Sequence, residues 1–591
     1  MTGSGNMYLF LARTAWRYAE AARSRMALIY ALFIVANIIV AFQPVVLAQI
    51  INTAQTGGPG AMHKTMMWSI AYAALSLSFW FFHGPARVIE RRLAFTVFSN
   101  FVRSLYRKVT EMPLRWHQDH HSGDTINRIN KAGRALFTFT QTQFVVIQSV
   151  VRLVISFAML VWYSWWVALV SIITSALIML IVRRFDRVLI PLVRKTNERE
   201  HHLNAGLYDY IGNIMTVLTL RLQSDTAAEI DRRFDAIKSS LWPEAVLNEG
   251  KWWAANFLLV LVQAGIVGGY VAIHLWQGEI LAMGSVVAIF QYLFIIMQLF
   301  FQGMVTYEDL MYRQIDVRGV EKLIEEHARL AQMPTVAANI VRSWSEIRID
   351  GLTFTHQEGE DALHTLRDID LTISARQKIA LIGESGSGKT TLLALMRGLY
   401  DAQQVQLAID DLSYRSLTPL AGFTTLVPQD SEIFENTVYY NLTLATDVRE
   451  DVVKQALSIS TFDDVAAKLP QGIWTDIRER GVNLSGGQKQ RLALARGLVA
   501  ARGSSLLLLD EPTSSVDLPT EAVIFDRLFA AFADKAIVAS VHRLHLLPRF
   551  NHICFMQSGV ITEQGSFAEL LDKCGAFHKL WRASPRPCRH R

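Results

Sequence analysis

Long apolar runs in roughly the first 310 of 591 residues constrain the fold more than any other feature of this sequence. A helix that crosses a membrane needs about 20 predominantly apolar residues. Four runs meet this requirement, at 26–51, 65–85, 252–275 and 280–307. The last run holds 28 uncharged residues, so at a rise of about 1.5 Å per residue it should continue beyond the bilayer. This half of the chain is therefore predicted to be a membrane domain.

The middle of this half contains one ambiguous run. Residues 153–182 carry no charge, but thirty residues are too few for two full spans and many for one. The flanking segments 87–134 and 183–251 contain ten and eleven Lys/Arg residues, and such basic segments lie in the cytoplasm. A single span would place one of them outside. We therefore predict a hairpin near residues 162–166, with spans at 144–163 and 165–182.

These six spans place both termini in the cytoplasm. Residues 1–25 are amphipathic and contain arginine, which favours an interfacial helix over a cleavable signal. The two cytoplasmic connections are predicted to be helical extensions with tips at 113–129 and 207–220. The membrane domain is thus assigned to 26–320 and a linker to 321–344.

The charge distribution argues against a nucleic-acid partner. A net charge of +6 is compatible with one, but the basic residues flank apolar runs, which is typical of membrane orientation. The lipid bilayer is the partner that this pattern indicates. The basic tail at 583–591 is predicted to be disordered, with lipid-headgroup contact as the alternative.

Residues 345–582 have the pattern of a soluble α/β domain. Short segments that begin with aliphatic runs, at 378–383, 505–515 and 536–543, end in glycine-rich or polar residues. This arrangement predicts a parallel sheet with its functional site along the carboxyl edge of the strands. The three cysteines, Cys554, Cys574 and Cys588, show no metal or disulfide spacing and fit a reducing cytosol.

The sequence GESGSGKTT, residues 383–391, matches a phosphate-binding loop between a strand and a helix. Glycines let backbone N–H groups curl around a phosphate, and the helix N-terminus attracts its negative charge. Lys389 is predicted to meet the β- and γ-phosphates of ATP, and Thr390 to offer its hydroxyl to Mg²⁺. The alternative, a flexible glycine turn, is disfavoured by the strand and helix on either side. The ATP-binding residues predicted in this loop are Gly383, Ser385, Gly386, Ser387, Gly388, Lys389, Thr390 and Thr391.

Two further motifs complete the predicted nucleotide site. Asp510 ends an apolar strand and is suited to hold Mg²⁺ through water, while Glu511 is suited to polarise an attacking water. A surface acidic pair is the alternative for these two residues. The second motif, LSGGQ at 484–488, has a serine that can cap a helix and glycines that can approach a phosphate, but no lysine. It cannot form a nucleotide site alone.

The order and spacing of the phosphate loop, LSGGQ, LLLLDEP and SVHR resemble the nucleotide-binding domain of ATP-binding cassette (ABC) transporters. Six spans followed by this domain resemble an exporter-type half-transporter with the type IV membrane fold. The resemblance implies a multidomain fold class, in which a six-helix transmembrane bundle with long cytoplasmic helical extensions precedes a P-loop α/β nucleotide-binding domain.

The resemblance also implies roles for individual residues. Glu511 matches the catalytic glutamate, His542 the switch histidine, and Gln429 the glutamine that senses Mg²⁺. The two cytoplasmic tips match the coupling helices, and 475–481 resembles a loop that contacts the membrane domain, with Arg478 where a glycine is usual. The residues implied to reach nucleotide held by a second chain are Ser485, Gly486, Gly487, Gln488 and Asp517.

The family's adenine-stacking tyrosine is replaced in this chain by His356. Imidazole can stack on a purine, with less contact area and a charge that varies near neutral pH. We predict that His356 is the adenine platform; the alternative is a solvent-exposed loop histidine. Nucleotide affinity is then expected to be weaker or pH-sensitive.

Several other polar residues have two interpretations. His117, His120 and His121 have a spacing able to bind metal, but their position at a tip favours interface packing. Arg152 either faces the central cavity and meets an anionic substrate, or extends toward the cytoplasmic headgroups or lies on the cytosolic extension of its helix. The glutamines and histidine on the last two spans are either cavity-lining groups or inter-helix hydrogen-bond partners: Gln263, His274, Gln291 and Gln298.

The predicted function is ATP-driven export, or lipid flopping, by alternating access. ATP and Mg²⁺ are expected at two composite sites of a dimer, with a homodimer favoured and a heterodimer open. An ATP-gated channel, a regulatory ABC protein, or an importer on this scaffold are the alternatives. The substrate is expected to be amphipathic or hydrophobic, and the location a bacterial inner membrane.

Overall fold

The structure, a computed structural model, describes residues 7–120, 122–331, 343–356, 365–430, 432–477 and 484–583. It divides into two compact units. The first comprises Met1–Glu111 and Ser122–His327, and the second comprises Met112–His121 and Ala328–Arg591.

The first unit is helical. The helices of the N-terminal half, in chain order, are α1 (Met7–Ala19), α2 (Arg23–Ala41), α3 (Gln43–Thr56), α4 (Ala61–Thr110), α5 (Leu114–Asp119), α6 (Ser122–Tyr163), α7 (Trp165–Gly212), α8 (Ile214–Thr219), α9 (Gln223–Trp276), α10 (Met283–Arg318) and α11 (Glu321–Ala331). Of these, α5 and the end of α11 from Ala328 belong to the second unit.

Six helical stretches in the described residues are long and apolar enough to cross a membrane, which confirms the predicted number. Each has between 42 and 54 residues, so each exceeds the roughly 20 residues that a bilayer requires. The additional turns form the predicted helical extensions. The stretches are Met7–Thr56, Ala61–Thr110, Ser122–Tyr163, Trp165–Gly212, Gln223–Trp276 and Met283–Leu330.

The ambiguous apolar run is broken at one residue, Ser164. Helix α6 ends at Tyr163, α7 begins at Trp165, and Ser164 between them has extended backbone angles of φ −168° and ψ 118°. The break lies within the segment 162–166 where the charge pattern places a hairpin. It occurs between aromatic residues rather than at a glycine or proline, so no turn signal marks it in the sequence.

The N-terminal helix α1 packs on the long helices of the first unit. Its Leu11 and Ala15 are fully buried. The Tyr18 carbonyl accepts a hydrogen bond of 3.0 Å from Asn100 Nδ2, and the ring of Tyr8 contacts that of Phe139. One face of the helix is thus held by protein, and its interfacial placement stays a prediction.

The second unit contains twelve described strands and eight helices that follow α11. The strands are β1 (Glu346–Phe354), β2 (Leu366–Ser374), β3 (Lys378–Gly383), β4 (Gln404–Ile409), β5 (Leu412–Tyr414), β6 (Thr424–Val427), β7 (Asn436–Thr437), β8 (Asp476–Ile477), β9 (Leu506–Asp510), β10 (Ala536–Ser540), β11 (His552–Gln557) and β12 (Val560–Gly565). The helices are α12 (Lys389–Met396), α13 (Val438–Thr443), α14 (Glu450–Ile459), α15 (Asp463–Ala466), α16 (Gly486–Ala500), α17 (Leu518–Ala531), α18 (Phe567–Asp572) and α19 (Ala576–Ala583).

A six-stranded sheet forms the centre of this unit. Its order is β12-β11-β3-β10-β9-β6, and all neighbours are parallel except the β11–β12 pair. The order brings the carboxyl ends of β3, β9 and β10 together at one edge, which is the arrangement that the three apolar runs predict. A second, antiparallel sheet has the order β2-β1-β4-β5, and β7 pairs with β8.

Strand β9 shows why these runs form central strands. Leu506 and Leu508 belong to one hydrophobic core, whereas Leu507 and Leu509 belong to another. Successive side chains of a strand point to opposite faces, so a strand covered on both faces needs an uninterrupted apolar run. This packing fixes Asp510 and the residue after it at the sheet edge.

Candidate nucleotide and substrate sites

The phosphate loop follows β3 and leads directly into α12. Gly386 and Gly388 have φ angles of +81° and +99°, in the region that favours glycine. A Cβ on Gly388 would lie 2.5 Å from Leu366 Cδ2, and one on Gly383 would lie 2.2 Å from the Met556 carbonyl oxygen. Backbone N–H groups can therefore approach a phosphate here without side-chain obstruction, and α12 presents its N-terminus to it.

The side chain of Lys389 is turned into this loop. Its Nζ donates hydrogen bonds of 2.9 Å to the carbonyls of Gly383 and Glu384. Burial lowers the pKa of Lys389, while Glu511 and Asp510 act in the opposite direction. Around it, Ser387 is buried, Ser385 and Thr390 are exposed, and Thr391 is half-buried.

Asp510, the last residue of β9, is 3% exposed, and its Oδ1 has no hydrogen-bond partner among the described residues. Burial raises the pKa of this carboxyl, and a hydrogen bond from the Thr390 side chain partly offsets the rise. The unsatisfied carboxylate oxygen and the Thr390 hydroxyl are oxygen ligands of the type that Mg²⁺ prefers.

Glu511 is brought together with the other two predicted catalytic residues. His542 Nε2 lies 2.5 Å from Glu511 Oε1, and Gln429 Nε2 donates a 3.0 Å hydrogen bond to Oε2. Glu511 has a φ of +44°, which is uncommon for a residue with a side chain and costs on the order of 1–3 kcal/mol. The chain thus turns sharply after Asp510, and the two adjacent carboxylates are directed to different neighbours.

Gln490 is a positioning residue that the sequence motifs did not reveal. It is 5% exposed, and its Nε2 donates hydrogen bonds of 2.9 Å to the Glu511 carbonyl and to Ser514 Oγ. Its Oε1 accepts one of 2.7 Å from the Ser515 backbone N–H. Gln490 lies among other polar residues at the start of α16, between Lys489 and Arg491, so nothing in the sequence distinguishes it.

A second network holds the segment between Glu511 and α17. Arg543 donates to the Val516 carbonyl at 2.6 Å and lies 3.2 Å from Glu521 Oε2. The other Glu521 oxygen accepts from Thr513 Oγ1 at 2.6 Å. Asp517, predicted to reach a partner's nucleotide, accepts a 3.0 Å hydrogen bond from the Thr520 N–H and caps α17.

The LSGGQ loop opens α16 with a capping box. Ser485 Oγ accepts from the Gln488 N–H at 3.4 Å, and Gln488 Oε1 accepts from the Ser485 N–H at 2.8 Å. The predicted capping role of Ser485 is therefore confirmed. A Cβ on Gly487 would lie 2.7 Å from the Ser515 carbonyl, whereas one on Gly486 would meet open space. Within the described chain, no hydrogen bond links this loop to the phosphate loop of 383–391.

His356 is exposed, and its ring lies edge-on to two aromatic rings. The centroid distances are 4.9 Å to Phe354 and 5.3 Å to Tyr400. Tyr400 Oη in turn accepts a 2.7 Å hydrogen bond from Gln118 of α5. A role for His356 as the adenine platform stays a prediction.

The histidine cluster at the first tip is only partly described. His120 stacks on Trp116 with ring centroids 4.3 Å apart and an interplanar angle of 13°. This contact is local to the tip, and the predicted interface packing stays a prediction. His121 lies outside the described residues, as do Arg478 and the tail from 584. No group of three or more potential metal ligands occurs in the part of the chain that the structure describes.

The membrane unit contains a cavity of about 960 Å³ whose lining includes Arg152 and Gln298. Arg152 therefore faces a cavity, as one of its two interpretations predicted. Gln263 lines a separate small cavity, and its Nε2 lies 3.5 Å from the Phe290 carbonyl. His274 Nδ1 lies 3.0 Å from the Tyr270 carbonyl, and Gln291 is half-buried.

Comparison with known proteins identifies the family. A sequence model described as the ABC transporter transmembrane region matches residues 26–300, and one described as ABC transporter matches residues 366–514. The chain belongs to the ABC transporter family. It combines a membrane domain and a nucleotide-binding domain in one polypeptide, which defines an exporter-type half-transporter.

Relatives of this ABC transporter support ATP-driven export. It is 26% identical to an ATM1-type heavy metal exporter of Novosphingobium aromaticivorans, over 89% of this chain and 86% of that protein. It is 25% identical to the mitochondrial iron-sulfur clusters transporter atm1 of Aspergillus fumigatus, over 92% of this chain and 74% of the relative. The family domains and these exporters imply ATP hydrolysis coupled to transport.

A solved structure supports the same fold for this ABC transporter. A bacterial Atm1-family ABC exporter with ATP bound superimposes with a TM-score of 0.76. The similarity covers 96% of this chain and 100% of that one, at 22% sequence identity. The six-helix bundle followed by a nucleotide-binding domain is thereby confirmed as the fold class.

Proposed function

We propose that two copies of this half-transporter form a homodimeric exporter with two composite ATP sites. In each site, the phosphate loop of one chain would hold ATP while the LSGGQ loop of the other covers its γ-phosphate. The proposal is supported by the lack of a hydrogen bond between these two loops within the described chain, and by the unobstructed approach to Gly486. Each chain then supplies two different half-sites.

The proposal that this site hydrolyses ATP rests on one observation. His542 and Gln429 each contact one of the two carboxylate oxygens of Glu511. We propose that Glu511 orients and polarises the attacking water. His542 would orient the glutamate and stabilise charge that develops on the γ-phosphate, while Lys389 meets the β- and γ-phosphates. Water exclusion by the second chain would strengthen each of these interactions.

We propose that Mg²⁺ accompanies the nucleotide. Thr390 and Asp510 would hold the cation, and Gln429 would lie beside it. The buried Oδ1 of Asp510, which has no hydrogen-bond partner among the described residues, supports this assignment. When bound, the cation neutralises charge on the phosphates. The described side chains perform the remaining work of orienting water and enclosing the phosphates.

The second tip supports the presence of a partner chain. Helix α8 and its flanks expose apolar side chains to 45–80%: Tyr208, Ile211, Ile214, Met215, Leu218 and Leu220. Such a patch outside an apolar span is typical of a protein interface. We propose that it docks on the nucleotide-binding domain of the second copy and couples ATP closure to the membrane helices.

We infer that the nucleotide-binding domain and both termini lie in the cytoplasm of a bacterial inner membrane. The positive segments 87–134 and 183–251 support this orientation. The cavity beside Arg152 would take its substrate from the cytoplasmic side, and its aromatic and amide lining supports an amphipathic organic compound. The heavy metals and iron–sulfur clusters that appear in the names of relatives are compatible with such a compound only as bound conjugates.

Mixed dimers test the composite sites. Lys389→Ala damages the phosphate loop and Ser485→Arg damages the LSGGQ loop, so each homodimer should lose ATP turnover in liposomes. A dimer with one chain of each type keeps one intact composite site and should recover turnover and transport in part. No recovery in isolated mixed dimers would contradict the composite arrangement, while turnover by the Ser485→Arg homodimer would contradict the role of that loop.

A further inference from the structure

The cavity of the membrane unit contains two opposite charges that are not paired with each other. Arg152 lies on one wall, on α6, and Glu249 lies on another, on α9. Glu249 is exposed and makes no ion pair or hydrogen bond within the described chain. Arg152 lies in the predicted span 144–163, where an unpaired charge is costly and is usually retained for function. Glu249 lies three positions before the start of the predicted span 252–275.

Arg152 is fixed so that its charge can be presented to a ligand. Its Nε donates a 3.1 Å hydrogen bond to Asn37 Oδ1, and Asn37 Nδ2 donates one of 2.8 Å to the Phe33 carbonyl. Asn37 is only 1% exposed, so its orientation is set by packing. The two terminal nitrogens of the guanidinium make no hydrogen bond to described residues and form the fork that binds a carboxylate in two places.

The remaining lining of the cavity includes aromatic side chains and amide groups. Trp253 is 69% exposed and stacks at 5.3 Å on Phe257, so its free face can take an apolar group or an ammonium. Phe144 and Trp252 also line the cavity, together with Gln298. A ligand that fits this wall has an apolar, preferably aromatic body and hydrogen-bonding groups.

We propose that the transported substrate is an amphipathic zwitterion, whose carboxylate binds Arg152 and whose ammonium binds Glu249. This inference rests on the proposed export function and specifies its substrate class. Pairing both charges at once compensates their desolvation, whereas a ligand with one charge would leave either Arg152 or Glu249 unpaired. The cavity should therefore discriminate by charge type and not only by hydrophobicity.

A set of four dipeptides with the same body tests this assignment. Phe-Phe carries both charges, its N-acetyl form only the carboxylate, its amide only the ammonium, and the doubly capped form neither. The measurement is the concentration of each that gives half-maximal stimulation of ATP hydrolysis by the full protein in liposomes. We expect the zwitterion to act at a concentration at least tenfold lower than each of the other three.

Two variants assign the charges to residues. Arg152→Gln should raise the half-maximal concentration of the zwitterion at least fivefold and remove its advantage over the amide. Glu249→Gln should remove its advantage over the N-acetyl form. Arg184→Gln and Glu200→Gln, which alter exposed charges on α7 outside the cavity lining, should leave the order of the four compounds unchanged.

The outcomes separate the inference from the function on which it rests. Equal stimulation by all four compounds, or a preference that survives both cavity variants, would overturn the zwitterion assignment. A preference that depends on Arg152 alone would overturn it in favour of an anionic substrate. Direct binding of the labelled zwitterion to the ATP-free protein checks that the variants are folded and act on binding. Failure of the export function itself would appear differently, as wild-type protein without ATP turnover above Glu511→Gln.

Discussion

His542 Nε2 lies 2.5 Å from Glu511 Oε1, and this contact joins the ends of two neighbouring parallel strands. Glu511 directly follows β9, and His542 comes two residues after the end of β10. Because Gln429 holds the other carboxylate oxygen, the glutamate has little freedom to rotate. Contacts within the chain thus fix the orientation of this carboxylate.

Glu511→Gln should abolish hydrolysis while leaving ATP binding nearly intact. The amide has the same shape and can still meet His542 and Gln429, but it cannot act as a base. A general base contributes about 10²–10⁴-fold to rate, so turnover should fall at least a hundredfold. ATPase rate and ATP affinity are measured on the same preparation. Loss of both in parallel would instead indicate a role for Glu511 in binding.

Gln490→Leu should reduce the rate of ATP turnover, although Gln490 is not proposed to contact nucleotide. The change removes the hydrogen bonds to the Glu511 carbonyl, Ser514 Oγ and the Ser515 N–H. Leaving buried groups unpaired costs about 1–3 kcal/mol each, so the segment after Glu511 should shift. We expect a tenfold to hundredfold lower turnover rate, with ATP affinity changed by less than threefold.

Two further variants sharpen this prediction. Gln490→Glu keeps the acceptor for the Ser515 N–H and should give an intermediate turnover rate. The exposed Gln471→Leu, which carries the same chemical change on the surface of the same unit, should behave like wild type. Equal rates for all four proteins would mean that Gln490 is dispensable for positioning Glu511.

Lys378 should make the stability of the central sheet depend on alkaline pH. It is 7% exposed, its Nζ donates a 2.8 Å hydrogen bond to the Phe532 carbonyl, and burial lowers its pKa to about 8. Between about pH 8 and the ordinary lysine value of about 10.4, the unfolded state binds more protons than the folded state, so stability rises with pH. The free energy of unfolding should increase from pH 8 to 10 by on the order of 2 kcal/mol, which corresponds to a roughly thirtyfold increase in protection from hydrogen exchange.

Millisecond hydrogen exchange of the β3 amides, compared at matched pH with Lys378→Met, measures this gain. The variant cannot titrate at this position, so the ratio of wild-type to variant protection should increase from pH 8 to 10. A ratio that stays constant would show that Lys378 remains charged in the folded state throughout this range.

The nucleotide-binding domain was largely predictable from sequence because its chemistry lies in contiguous motifs. The glycines of 383–388 and the run before Asp510 specify local backbone and strand burial, and parallel strands then align their carboxyl ends. Gln490 and the Arg543–Glu521 pair were not found, since their partners lie 21 to 27 residues away and only tertiary packing brings them together. The role proposed for Glu249 was not predicted for the same reason. Glu249 is far from Arg152 in the sequence, and only the folded structure shows that both line one cavity.

Charged substitutions on α8 should uncouple ATP hydrolysis from transport. Met215 and Leu218 are 72% and 50% exposed, and the proposed docking site on the second chain would bury them. Burying an unpaired carboxylate is strongly unfavourable, so Met215→Glu with Leu218→Glu should prevent docking. In liposomes, ATP-dependent transport should fall at least tenfold and substrate stimulation of the ATPase should disappear, while ATP binding persists.

Arg232→Glu, which places a carboxylate at a 76%-exposed side chain on α9 outside this patch, controls for the added charge and should retain coupling. Transport that is unaffected by the α8 changes would contradict an interface at this tip, because an exposed non-interface surface tolerates both glutamates equally well.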